Sequence, residues 1–199
     1  MKKHINIRFI VLVLIILLIG IWRVLNNGGQ LTPLSNFSPI GALALFGGTY
    51  FLQKIRAYLF PLLMLFISDI VMMHTYFSDY QSGLLYDGWY WNYAAFGLMV
   101  FFGTLINQPS PKNIFLASVG AALAHYLISD FGVWLSGGID LSNNQPFTRD
   151  WHGLMRCYIL AIPFLKNMLI STILYSTVLF GAFELASHRF PILAKPAIL

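Results

Sequence analysis

The 199-residue chain is poor in charge and almost without cysteine. Asp, Glu, Lys and Arg make up only 10% of it, against about 25% in an ordinary soluble domain, while 58% is hydrophobic. A water-soluble globule of this size has no way to hide so much apolar side chain, which excludes one. The single cysteine, Cys157, excludes a disulfide framework and every multi-cysteine metal site. Acids are scarcer than bases, 7 against 12, for a net charge of +5. Nucleic-acid binding would need those bases clustered on one face. They are scattered between long apolar runs instead, so no nucleic-acid partner is expected. Also missing are a Gly-x-x-x-x-Gly-Lys-Ser/Thr phosphate loop, a Gly-x-Ser-x-Gly elbow and a His-Glu-x-x-His pair. ATP hydrolysis, serine hydrolysis and zinc proteolysis therefore lack their machinery, and no catalytic residue, cofactor or metal is expected.

What is present is apolar sequence in long runs. A bilayer-spanning helix needs about 20 mostly apolar residues, since each advances about 1.5 Å through a core about 30 Å thick. Six runs qualify or come close: 8–25, 38–52, 57–76, 90–106, 114–135 and 153–186. The last is too long for one straight span and contains Pro163, which predicts a kinked or split helix. Continuous runs rather than strict alternation argue against a β-barrel. The reading is an all-α membrane protein, a single domain of about six transmembrane helices. The first run lacks a small-x-small cleavage site after it, so it reads as a retained helix rather than a signal peptide.

Basic residues orient such a bundle. With the N-terminus in the cytoplasm, Lys2, Lys3, Arg8, Lys54, Arg56, Lys112, Arg189 and Lys195 all lie inside. Arg23, Arg149 and Arg156 remain outside, together with Asp79, Asp87, Asp140 and Asp150. All five tryptophans, Trp22, Trp89, Trp91, Trp134 and Trp151, fall at outer helix ends or in outer loops. Both termini are predicted inside a cell inner membrane.

An ionisable group within a span costs roughly 2.5–3.5 kcal/mol on insertion scales and marks a functional site by default. Asp69, His125, Asp130 and Lys166 are such groups. Asp69 lies roughly 10 Å, and Asp130 roughly 8 Å, below the outer ends of their helices. Polar groups thus thicken toward the outside, as a cavity open to that side would require. Tyr126, Asp130 and Trp134 are four apart on one helical face, whereas His125 points about 140° away from Asp130. That angle also disarms the His-x4-Asp string at 125–130 as a catalytic dyad. Trp89, Trp91 and Asn92 sit in or beside the outer loop above, and Asn167 follows Lys166. Stacking rings, orienting carboxylates and hydrogen-bonding amides suit a small heterocyclic or cationic ligand.

Plainer readings stand beside this one. The tryptophans also suit an interfacial belt, and Asp69 or Asp130 also suits an internal ion pair with Lys166. Gly41, Ala44 and Gly48 share one face of the second run, where a small stripe serves close helix packing or a partner interface. Ser38 and Pro39 read as the start of that helix.

The strings Asn36-Phe-Ser-Pro-Ile-Gly-Ala-Leu-Ala-Leu-Phe-Gly-Gly48, Ser129-Asp-Phe-Gly-Val-Trp-Leu135 and Gly153-Leu-Met-Arg-Cys-Tyr-Ile-Leu-Ala-Ile-Pro-Phe164 resemble those of a family of small bacterial membrane proteins labelled as putative transport proteins. More distantly, six helices with both ends inside resemble the substrate-binding S components of energy-coupling-factor vitamin transporters. That second resemblance implies ligand capture near the outer face and a partner T subunit with two ATPases. The small-xxx-small docking motif of that family lies on its first helix, and here the small stripe is on the second.

The resulting expectation is a membrane protein that captures a small molecule from the outer side, takes it up by rocking or with a partner complex, and contacts membrane lipid. Asp69 and Asp130 would orient the ligand, with Trp89, Trp91 and Trp134 stacking on it and Asn92 and Asn167 hydrogen-bonding it. His125 and Lys166 would close the floor. The alternatives are an intramembrane enzyme and a structural or assembly protein with a paired polar interior.

Overall fold

The structure, a computed structural model, describes residues 6–25, 36–80 and 83–194 of the chain. It is built of helices α1 (Ile7–Leu25), α2 (Ile40–Tyr50), α3 (Lys54–Thr75), α4 (Trp89–Thr104), α5 (Pro111–Leu135), α6 (Trp151–Arg189) and the one-turn α7 (Pro191–Ala194). A two-residue antiparallel ribbon, β1 (Ile139–Asp140) with β2 (Gln145–Pro146), closes the loop between α5 and α6.

Helices fall on each of the six apolar runs, and four of them, α1, α3, α5 and α6, are long and apolar enough to cross a membrane. At 11 and 16 residues, α2 and α4 reach only about 16 and 24 Å. The second run, expected as a span, is thus too short to cross a core of about 30 Å. α6 is not split at Pro163: it runs unbroken for 39 residues. Pro163 removes one backbone donor, and the many other bonds of so long a helix carry it through. Starts are chemically marked. Ser110 accepts from the Asn113 N–H ahead of Pro111, and Asp150 accepts from the Gly153 N–H at 2.8 Å. Gly88 turns the chain into α4 at φ +75°, where a side chain would be strained.

α2 is the axis of the fold. All its residues but Thr49 are buried, and it packs on α1, α3, α4, α5 and α6. The approach to α4 is backbone on backbone. A Cβ on Gly48 would lie 2.3 Å from the Val100 carbonyl oxygen, and one on Gly103 would lie 2.3 Å from that of Leu45. Thr49 Oγ1 then donates to the carbonyls of Leu45 and Gly103, each at 2.9 Å. The small-residue stripe is spent on packing within the chain.

Around this axis α1 packs on α3, α3 on α4, α4 on α5, and α5 on α6. Phe9 meets Phe60 at one end of the α1–α3 pair, and Arg23 meets Asp69 toward the other. The first end carries Arg8, Lys54, Arg56, Lys112 and Arg189 at helix termini and is called the basic end below. The second, with Trp22, Trp89, Trp91, Trp134 and Trp151, is the aromatic end. The two ends differ in their cores as well. Phe46, Tyr50, Phe180 and Phe183 interlock at the basic end with ring centroids 4.5–5.5 Å apart. Tyr50 donates its hydroxyl to Glu184, and the buried Arg8 donates to the Tyr50 carbonyl.

Candidate functional site

The aromatic end holds a buried polar chain. Asp69, on α3 and 3% exposed, has both carboxylate oxygens engaged. Arg23 Nη2 lies 2.7 Å from Oδ1, and the Tyr93 hydroxyl donates to Oδ2 at 2.9 Å. Arg23 also donates to Ser68, whose hydroxyl donates in turn to the Leu65 carbonyl. A carboxylate and a guanidinium removed from water are tolerated because each meets the other and their remaining capacity is hydrogen-bonded.

Tyr86, in the turn before α4, begins a second group within electrostatic reach of Asp69. Burial pushes its phenol above the usual tyrosine range, and the nearby Asp69 charge adds to the push. Tyr86 accepts from Asn92 Nδ2 at 2.7 Å, and no described residue accepts its own proton. The Asn92 side-chain oxygen faces His125 Nε2 at 3.1 Å. His125 is buried on α5 with its ring edge-on to Phe96, centroids 4.6 Å apart. Six side chains from α1, α3, the following loop, α4 and α5 thus form two bonded trios, Arg23–Asp69–Tyr93 and Tyr86–Asn92–His125, with Tyr86 within electrostatic reach of Asp69. Trp89, 41% exposed, stacks edge-on to Tyr93 at its rim.

The other residues singled out from the sequence lie elsewhere. Trp91 packs on Gly132, where a Cβ would sit 2.2 Å from the indole, and on Phe131. Trp134 also packs on Phe131, ring centroids 5.7 Å apart, and donates Nε1–H to the Thr148 carbonyl at 2.8 Å. These two tryptophans tie α4, α5 and the α5–α6 loop together. Asp130 is half-buried at the α5–α6 seam, where Cys157 donates to its backbone carbonyl. The neighbouring tyrosines are committed to each other's helices: Tyr126 donates to the Tyr158 carbonyl and Tyr158 to that of Leu127, both at 2.8 Å. The ion pairs among the described residues are Arg23–Asp69 and Arg156–Asp140, so Asp130 has no cation of its own there.

Two sequence expectations are corrected. Asp69 pairs with Arg23 and not with Lys166, which is exposed on α6. The physical reason is the helix order: α4 stands between α3 and α5, which places Asp69 beside α1 and away from α6. For the same reason the named residues do not converge on one place. Asp69 joins Tyr93, and Asn92 joins Tyr86 and His125, while Asp130 and Trp134 face the α5–α6 side, and Asn167 is half-buried on α6. His125 meets α4 and Asp130 meets the α6 seam, in keeping with the 140° between them. Arg23 was the missed partner. Its signal was legible, since it is the charge that interrupts the first apolar run. Tyr93 had none beyond helical spacing from Trp89.

Above the seam, Asp140 is covered by its own loop, accepting from the Ser142 hydroxyl and N–H and from Arg156. Those bonds, the Ser142 hydroxyl first, hold its carboxyl down at about 2. No group of three or more His, Cys, Asp or Glu side chains among the described residues is arranged to hold a metal ion.

Residues 3–193 match a family described as "Family of unknown function (DUF6580)". Comparison with curated proteins and with solved structures finds no match in either. Because the family match runs through nearly the whole chain, including every residue of the polar chain above, the protein belongs to this family of unknown function.

Proposed function

We propose that the protein is a multi-pass inner-membrane protein, both termini inside, that binds a small polar molecule at its aromatic, outward end as the capture component of an uptake system. The observation that carries this reading is the pair of bonded trios Arg23–Asp69–Tyr93 and Tyr86–Asn92–His125 at one end of the bundle. Polar side chains are expensive within a membrane, and here they are gathered at one end from five parts of the chain. The charges of Arg23 and Asp69 cancel, so the set favours a neutral or zwitterionic ligand over a cation. Tyr86 offers its proton to an acceptor on that ligand, Asn92 and His125 supply further hydrogen bonds, and Trp89 supplies a ring at the rim. Lacking a phosphate loop, the chain would take its energy from a partner T subunit with ATPases.

One observation favours a second reading, a structural membrane protein: both oxygens of Asp69 are already satisfied within the chain. Native mass spectrometry separates the two. Wild-type protein purified in mild detergent should carry a small-molecule adduct, lost in Asn92→Ala and Tyr86→Phe proteins that still elute as folded. An adduct held equally by the variants, or a wild type with no adduct after every candidate ligand is added, would sink the capture reading and leave the structural one.

A further inference from the structure

Lys166 stands near the middle of α6, on the side turned away from the bundle. It lies 15 residues after Trp151, which opens the helix at the aromatic end, and 18 before Glu184, which meets Tyr50 at the basic end. Along the helix axis those are about 22 and 27 Å. α6 buries Cys157, Ala161, Met168 and Thr172. Lys166 falls on the opposite face, where it is exposed together with Ile159, Ile162, Ile170 and Leu174. It forms no ion pair among the described residues.

α6 is long and apolar enough to cross a bilayer, so this face carries an ammonium group into hydrocarbon. A charge there is expensive unless it reaches water or meets an opposite charge. Water and lipid phosphates are out of range. A lysine stem spans roughly one helical turn, about 5 Å, against about 20 Å to either end.

The chain's own acids do not answer it either. Asp69 is taken by Arg23, and Glu184 stands at the basic end. Asp130 is level with Cys157, roughly 13 Å from Lys166 along α6. The other four, Asp79, Asp87, Asp140 and Asp150, lie between helices at the aromatic end. A second copy oriented alike in the same bilayer carries each acid at the same depth, so it brings none to Lys166.

We propose that this face of α6 docks a transmembrane helix of a different protein, one that carries an Asp or Glu near its midpoint to pair with Lys166. The exposed isoleucines and leucine around the lysine supply the packing, and the one charge among them sets which helix docks and in what register. The inference does not rest on the capture reading: whatever binds at the aromatic end, Lys166 needs its anion.

The test uses the full chain in the membrane of its native host, with the photo-cross-linker benzoylphenylalanine replacing Ile159 or Ile170, or, as controls, Leu14 or Leu17 on the exposed face of α1. Irradiation should give one discrete protein adduct from the α6 positions, at least tenfold above the controls, mapped by mass spectrometry to a span with an acid within a turn of its centre. Lys166→Leu should reduce that adduct at least tenfold, while Lys166→Arg keeps it and the thermal midpoint of the isolated chain stays the same for both. Lys166→Glu should abolish the adduct, and replacing the partner's acid by lysine should restore it. Reaction with lipid alone, an adduct that survives Lys166→Leu, or a partner span without an acid overturns the proposal. An adduct with a second copy of this chain assigns the face to a homodimer and overturns it as well.

Discussion

Arg23 reaches from α1 to Asp69 on α3, Nη2 to Oδ1 2.7 Å, with both side chains nearly closed to solvent. The charge near the outer end of the first apolar run thus neutralises the only acid in the third. Breaking a buried pair by removing one partner typically costs about 3–5 kcal/mol, because the other charge is stranded. Arg23→Gln and Asp69→Asn should each lower the thermal midpoint in detergent sharply. The double replacement Arg23→Met with Asp69→Leu should cost less than the sum of the two. Additive losses would show that the two residues do not act as a pair.

Asp130 predicts the contrary. With no cation beside it among the described residues, its ionised carboxylate is a cost to the fold rather than a support. Asp130→Asn should leave the thermal midpoint unaltered or raise it. A loss approaching that of Asp69→Asn would reveal a partner for Asp130 in the folded protein.

The α2–α4 contact makes a paired prediction in glycine. At Gly48 or Gly103 a methyl group would strike backbone that has no side-chain freedom to yield. Gly48→Ala and Gly103→Ala should destabilise by at least the roughly 1–3 kcal/mol of an overpacked core. Gly97→Ala, on the same α4 helix with nothing within 4 Å of its Cβ, should be neutral or gain up to about 1 kcal/mol from helix propensity. Unfolding midpoints of the three variants check this directly. A harmless Gly103→Ala would refute the close crossing.

The α5–α6 loop should loosen in acid. Asp140 is held at about 2, below the roughly 3.9 of a free aspartate, so its bonds stabilise the loop above that ordinary value. Their contribution fades as pH falls from about 4 toward 2. Hydrogen-exchange protection at 136–150, taken relative to the intrinsic rate at each pH, should fall over that window in the wild type, and in Asp140→Asn it should be low and flat with pH. A wild-type profile already flat between those values would contradict the Ser142 and Arg156 bonds.

Much was readable before any coordinates. The six runs are helices because continuous apolar sequence has no other way to satisfy its backbone in hydrocarbon. The separation of His125 from Asp130 followed from helical geometry alone. The partner of Asp69 was not readable, since helix order around the bundle depends on which faces fit, and six runs permit many orders. Nor was the brevity of α2. Its composition suits a span, yet its glycines let it serve as a buried strut of 11 residues, and the next helix begins soon afterwards.

By itself the sequence determined the class of this protein and the segments that form helices, because burial of apolar runs is a local property of composition and period. It also determined which end carries the bases and which the tryptophans, since helix termini are read along the chain. Only the tertiary structure decided that Arg23 answers Asp69, that Asp130 stands without a cation among the described residues, and that α4 parts α3 from α5. Those are pairings between residues dozens of positions apart, and they are settled by which helix surfaces interlock, above all by Gly48 against Gly103.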